Sequence, residues 1–342
     1  MDSKEWYINE RTNFKQLASK VESIIIEILE ENNIEFHFVS SRAKTSESFL
    51  TKIENSKYSN PKEQITDLAG IRIITYVEDF IPSVCKIIEQ TFEIDPLNSM
   101  DKSESLGLDK VGYKSVHYVA TLPEPRLGLA EYKKFKGMKF EIQIRTILQH
   151  SWAEIEHDRN YKFSGELPKG IQRRFKLLAG LLELADNEFN SISKEIDSYS
   201  EVVKEKANNG ELEVELNSTS LLEYSKSKFK SLIDSGLTPV LKSNSIVTDL
   251  KNFGVLTLHD LDELIPNDFI DKAKGTPIEE KSLLGLYRVL MMISDYEKFF
   301  KNSYSSNWEA FSRSTAELFK RYDVDISQVR KELKAANKTR KK

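Results

Sequence analysis

Four groups of polar side chains in this 342-residue sequence have the types and spacing that phosphate chemistry requires. The first is Arg42, Lys44, Ser48 and Lys52. A helix beginning at Ser46 would put Ser48 and Lys52 on one face, with Arg42 and Lys44 approaching from a preceding strand or loop. Three cations could then surround a polyphosphate, and a planar guanidinium could stack on a base. The second is Asp67, Gly70 and Arg72: a carboxylate just before a strand for a divalent ion, a glycine that admits close approach, and a cation at the strand's start. The third is Lys110, Gly112, Tyr113, Ser115 and His117, where Tyr113 offers a flat ring and Ser115 and His117 share one side of a strand. The fourth is Glu141, Gln143 and Arg145, alternating on one strand face, followed by Trp152, Glu156 and His157 on a helix that lines or braces the site. Taken singly, a solvated basic face, a helix-to-strand turn, a structural histidine and a half-buried strand would account for them as well.

Together they suit magnesium-dependent phosphoryl transfer. Asp67 and Glu141 supply the hard oxygen ligands that magnesium prefers, and the cations hold the phosphates. The sequence contains neither a P-loop nor the protein-kinase motif set, so the chemistry points to a carboxylate-based site of the nucleotidyltransferase kind.

These residues need elements to carry them. Apolar positions from Phe14 to Ile28 recur every three or four residues and predict a helix over 13–32. Residues 70–77 are short and β-branched, and with 115–121 and 138–144 they read as strands. Helices are expected over 81–91 and 147–160, and loops over 92–111 and 122–137. A long apolar stripe from Phe175 to Ile196 predicts a helix over 169–199, more than a small sheet needs for cover, and so able to dock a partner subunit or a second domain.

Five Glu, two Lys and an Asn-Asn-Gly turn fall within 201–220, where a boundary is expected: a first domain over 1–205, a linker over 206–220, and a mainly helical accessory domain over 221–342 punctuated by Gly and Pro. The last fourteen residues hold seven Lys or Arg and one Glu, and read as a frayed, solvated helix. Fifty basic against 54 acidic residues argue against wholesale coating of nucleic acid, and one cysteine, Cys85, excludes an internal disulfide framework. A charged N-terminus and the lack of a long apolar run lead to the expectation of a cytoplasmic protein with no membrane contact.

The motifs Arg42-x-Lys44, Asp67-x-x-Gly70-x-Arg72, Gly112-Tyr113-x-Ser115-x-His117, Glu141-x-Gln143-x-Arg145 and Trp152 to His157 occur in the order found in the RelA/SpoT family, and the stretch from Phe38 to Lys162 strongly resembles the synthetase domain of these (p)ppGpp, or alarmone, synthetases. The resemblance implies an α/β fold, a mixed sheet flanked by helices. It implies transfer of pyrophosphate from ATP to the ribose 3′-hydroxyl of GDP or GTP with Mg2+. Under it Arg42, Lys44, Ser48, Lys52, Arg72 and Arg145 bind ATP. Lys110, Tyr113, Ser115, His117 and Gln143 hold the acceptor, with Tyr113 stacked on guanine. Asp67 and Glu141 are the catalytic acids and metal ligands, Glu141 also receiving the proton of the attacking hydroxyl. Gly70, Gly112, Trp152, Glu156 and His157 support them.

Long members of the family also carry a metal-dependent hydrolase domain. Here only 37 residues precede the matching stretch, and the adjacent His-Asp pair His259-Asp260 lacks further metal ligands, so hydrolysis is not expected. The layout is closer to small alarmone synthetases, although those generally lack an added domain as long as 221–342, which could mediate a homo-oligomer or meet a regulatory protein. Two alternatives remain open: toxin-like transfer of pyrophosphate to the 3′ end of tRNA, and a catalytically inactive nucleotide-binding regulator.

Overall fold

Alternation along the β-branched runs decides which side of the sheet becomes core. The computed structural model describes residues 3–54, 58–101, 115–162, 167–239, 245–277, 282–304 and 310–340. Among these, six strands form one mixed sheet: β1 (Phe38–Ala43), β2 (Ala69–Thr75), β3 (Glu93–Ile94), β4 (Met100–Asp101), β5 (Val116–Thr121) and β6 (Phe140–Thr146). Their order is β1-β2-β6-β5-β3, with β4 also on β5; β2 and β6 are parallel and the other pairs antiparallel. Val39, Ala69, Ile71, Ile73, Ile142 and Ile144 point to one face and are buried against two helices, α1 (Ser3–Glu31) and α4 (Phe80–Thr91). Residues at the alternate positions, Arg42, Gly70, Arg72, Glu141, Gln143 and His117, therefore share the opposite face.

Two boundaries move from their expected places for visible reasons. Helix α1 begins at Ser3, ten residues before Asn13, because Tyr7 continues the buried stripe and stacks on Phe49 at 4.3 Å. The stretch expected as a loop over 92–111 contains β3 and β4, paired to β5; residues 102–114, with Lys110, Gly112 and Tyr113, lie outside those described. Short helices α2 (Ser46–Ile53) and α3 (Pro61–Gln64) fill the connection from β1 to β2. After β6 come α5 (Ile147–Lys162) and α6 (Lys169–Asn209), the second extending ten residues past Tyr199.

The chain divides into two compact units, Met1–Lys194 and Glu195–Lys342. The second is helical: α7 (Ser218–Lys228), α8 (Lys230–Ile233), α9 (Ser245–Phe253), α10 (Leu258–Leu264), α11 (Phe269–Lys274), α12 (Leu283–Lys298), α13 (Arg313–Arg321) and α14 (Ile326–Arg340) surround one apolar core. Polar caps start its helices, as where Asn217 and Ser220 satisfy each other's backbone N–H groups. Gly254 ends α9 at φ +95°, with the Val255 N–H bonded to the Leu250 carbonyl. A buried ion pair, Arg288 Nη2 to Asp249 Oδ2 at 2.7 Å, crosses that core.

The stretch expected as a linker, 206–220, is part of this unit. Val214 and Leu216 are buried, and the Leu216 N–H bonds to the Leu256 carbonyl at 2.8 Å. The basic end also differs from the expected frayed helix, because Val329 and Leu333 dock α14 into the core. Asp260, half of the His-Asp pair, caps α10 by accepting the Thr257 N–H at 2.9 Å.

Candidate active site

The site begins with a lysine whose backbone is anchored from three directions. The Lys44 carbonyl accepts the Tyr7 hydroxyl at 2.7 Å and Arg11 Nε at 3.1 Å, both from α1, and its N–H bonds to the Leu68 carbonyl at 3.0 Å. Burial pushes the Tyr7 phenol up to about 12, so it stays protonated as a donor. Thr45 then caps α2 by accepting the Ser48 N–H at 3.1 Å, and it donates its hydroxyl to Ser48 Oγ at 2.8 Å. That start aims α2 so that Lys52, in its last turn, returns toward Lys44.

Both ammonium groups meet on Asp67. Lys44 Nζ lies 2.6 Å and Lys52 Nζ 2.9 Å from Asp67 Oδ2. Burial would raise this carboxyl, but the hydrogen bonds and charges of the two lysines outweigh it and hold Asp67 below the ordinary carboxylate value. Its other oxygen, Oδ1, is buried without a hydrogen-bond partner among the described residues. A buried, ionised oxygen with an unused lone pair is what a hard cation or a ligand hydroxyl would occupy.

Glu141 stands one strand away. It is in register with Gly70, three residues after Asp67, on the parallel β2–β6 pair. Glu141 Oε1 accepts Gln143 Nε2 at 2.7 Å and lies 3.1 Å from His117 Nδ1 on β5. Burial raises the Glu141 carboxyl, His117 and Gln143 lower it by more, and the nearby charge of Asp67 raises it again; the balance lies below its ordinary value. The two carboxylates are thus close enough to feel each other's charge, and both stay ionised near neutrality. His117 Nε2 and Ser115 Oγ, both buried, have no hydrogen-bond partner among the described residues. At Gly70 an added Cβ would rest in ordinary contact with Arg42, 3.9 Å from its Cγ.

The remaining expected residues scatter more. Arg72 sits between Ser40 and Gln143 in register and reaches Glu154 of α5 at 3.0 Å. Arg42 is exposed opposite Gly70, and Arg145 is nearly buried at the end of β6. Trp152 faces α6, donating Nε1 to the Phe175 carbonyl at 3.3 Å, while Glu156 is half-buried and His157 exposed. Among the α5 residues that meet the sheet are Glu154 and His150, which the sequence reading did not select; their four-residue spacing, placing both on one helix face, was the available signal. His150 packs edge-on against Phe38 and has a buried Nδ1 without a hydrogen-bond partner among the described residues. Burial lowers its pKa, Glu154 raises it, and Arg72, Arg145 and His37 lower it, for a net fall. Tyr7 and Arg11 were also missed, since residues 37 and 33 positions away in sequence give no local sign that they hold Lys44.

Residues 41–166 match the family model described as a region found in RelA / SpoT proteins. A GTP pyrophosphokinase of Bacillus subtilis (strain 168), YwaC, is 30% identical over 162 residues, covering 46% of this chain and 73% of that protein. Another from the same organism, YjbM, is 28% identical over 202 residues, covering 57% and 92%. The solved small alarmone synthetase 1 from Bacillus subtilis is 26% identical, covers 57% of this chain and 98% of its own, and superposes with a TM-score of 0.48. A mixed sheet flanked by helices defines the class as an α/β domain. The chain belongs to the RelA/SpoT family.

Proposed function

We propose that the first unit is a GTP pyrophosphokinase that moves the terminal pyrophosphoryl group of ATP to the ribose 3′-hydroxyl of GDP or GTP, making (p)ppGpp. The observation that carries this is the convergence of Lys44 and Lys52 on Asp67, whose buried Oδ1 has no hydrogen-bond partner among the described residues, with Glu141 one strand distant. The similarity to two proteins named GTP pyrophosphokinase supports the same reading.

Each step has a residue to serve it. A lysine ammonium has three donors; one on Lys44 and one on Lys52 are spent on Asp67, leaving the others for triphosphate oxygens. Arg42, Arg72 and Arg145 add charge along the same face, with Ser48 beside the donor phosphates. Ser115, His117 and Gln143 serve the acceptor, and the proposal extends to Lys110, Gly112 and Tyr113, which lie outside the described residues. The 3′ oxygen attacks the β-phosphorus of ATP, an O3′–Pβ bond forms, the bond from Pβ to the oxygen bridging to Pα breaks, and AMP leaves with that oxygen. Glu141, already ionised, accepts the hydroxyl proton without first losing one. Asp67 Oδ1 and the Glu141 carboxylate fit Mg2+, which is held by one or two carboxylates plus substrate phosphates; when bound it offsets charge on those phosphates.

Purified full-length protein given Mg2+ and ATP labelled at the γ-phosphate, with GDP, GTP or deacylated tRNA supplied separately, tests the reading. Label on guanine nucleotide is the expected result. Label confined to tRNA would replace it with the tRNA-modifying alternative, and no transfer to any acceptor would favour a nucleotide-binding regulator.

A further inference from the structure

We infer that Tyr7, assisted by Arg11, is a positioning residue for the phosphates of ATP: its ring sets where Lys52 stands and its hydroxyl sets where Lys44 stands. The inference rests on the ATP-binding role given above to the two lysines. Both α1 residues precede the stretch 41–166 that matches the family model.

The ring acts through α2. That helix has eight residues, too few to be stable without tertiary support. Phe49 is its buried residue, and the Phe49 ring lies on the Tyr7 ring with centroids 4.3 Å and planes 25° apart. Lys52 follows Phe49 by three residues, on the neighbouring turn. The seat of Phe49 on Tyr7 therefore fixes where the Lys52 ammonium falls.

The hydroxyl acts through the backbone. Tyr7 is fully buried, and the buried stripe it begins continues as Phe14, Leu17, Ala18, Val21, Ile24, Ile25 and Leu29, all hydrocarbon. Packing at this position is met by the ring alone. The polar atom it adds is spent on the Lys44 carbonyl, which accepts the Tyr7 hydroxyl at 2.7 Å and Arg11 Nε at 3.1 Å. These two donors stand one helical turn apart on one face of α1 and fill the two lone pairs of that carbonyl. A lysine ammonium sits on a flexible four-carbon stem, so it can be placed only from a fixed backbone. Lys44 and Lys52 reach the same oxygen of Asp67, at 2.6 and 2.9 Å, and a displacement of about 1 Å at a reacting group costs on the order of 100-fold in rate.

Calorimetric titration of the full chain with Mg2+ and a non-hydrolysable ATP analogue, beside single-turnover transfer from ATP to GDP, reads the effect of Tyr7→Phe, which keeps the ring and deletes the hydroxyl. The expected result is an affinity weakened about fivefold or more and a rate lowered about tenfold or more. In a Lys44→Met chain the same substitution should change the affinity by less than about twofold, because the hydroxyl acts through that ammonium. A role in stability alone would lower the melting temperature and leave the affinity at its parent value, and a general distortion would weaken it equally in both backgrounds; either result overturns the inference. Arg11→Met, at a half-buried position, removes the other donor and should weaken affinity about threefold. If Tyr7→Phe does not fold, an Arg11→Met chain with parent affinity overturns the inference instead. A parent chain that binds the analogue but transfers to no acceptor overturns the pyrophosphokinase reading alone, with the affinities still deciding the role of Tyr7. A parent that transfers, with Tyr7→Phe equal to it in affinity and rate, overturns this inference alone, and a parent that binds no analogue overturns both.

Discussion

Replacing Asp67 by Asn probes the site most directly, because it removes one negative charge while keeping shape. Two charge-assisted hydrogen bonds converge on Oδ2, and such bonds contribute about 1.5–3 kcal/mol each when shielded. Lys52 is 37% exposed, so its share falls toward about 0–1 kcal/mol, whereas Lys44 at 13% keeps most of its share. The variant should lose about 1–3 kcal/mol, and the unfolding transition of the first unit should drop by about 3–10 °C. Turnover should suffer more than binding. Losing a charge that acts where phosphate charge develops costs on the order of 100- to 1000-fold in rate. Lys44 and Lys52, released from their carboxylate, should still bind ATP, within about threefold of the parent affinity or tighter. Single-turnover transfer of label from ATP to GDP gives the rate, and calorimetric titration with a non-hydrolysable ATP analogue gives the affinity. A variant with turnover within about threefold of the parent, or one whose loss lies wholly in ATP affinity, would refute the role given to Asp67.

Other consequences are as specific. Chelation of divalent ions with EDTA should abolish transfer and leave the melting temperature unmoved, since Lys44 and Lys52 already neutralise Asp67; a metal-dependent melting temperature would contradict this. His150 has a depressed pKa in the folded chain, so the unfolded chain binds more protons and stability rises with pH, reaching its full value above the unfolded pKa of about 6.5. His150→Gln should flatten the rise of melting temperature just below that pH, and an unchanged slope would assign it to other groups. In the second unit, Asp249→Ala leaves Arg288 buried without its carboxylate and should cost about 3–5 kcal/mol, whereas Asp249→Leu with Arg288→Met should come close to the parent, both read by denaturant unfolding.

The amino-acid sequence by itself determined the strands that carry the site. The β-branched run at 70–77 and the alternation Glu141, Gln143, Arg145 are local properties, and a strand's period of two settles which residues share a face. The long stripe on α6 and the helix breaks at Gly236 and Gly254 were legible for the same reason. One local signal went unread: Leu212, Val214 and Leu216 alternate with three Glu, the pattern of a half-buried extended segment, and the acidity of 201–220 obscured it. What only the tertiary structure decided is which distant groups meet. The chain reverses between β1 and β2, bringing Lys44 and Lys52 onto Asp67; β2 and β6 pair in parallel, putting Glu141 beside Gly70; and α1 returns Tyr7 and Arg11 to the Lys44 carbonyl. No periodicity encodes those meetings, because they follow from strand order and helix packing over tens of residues, where many registers satisfy the local pattern and burial of one shared core selects among them.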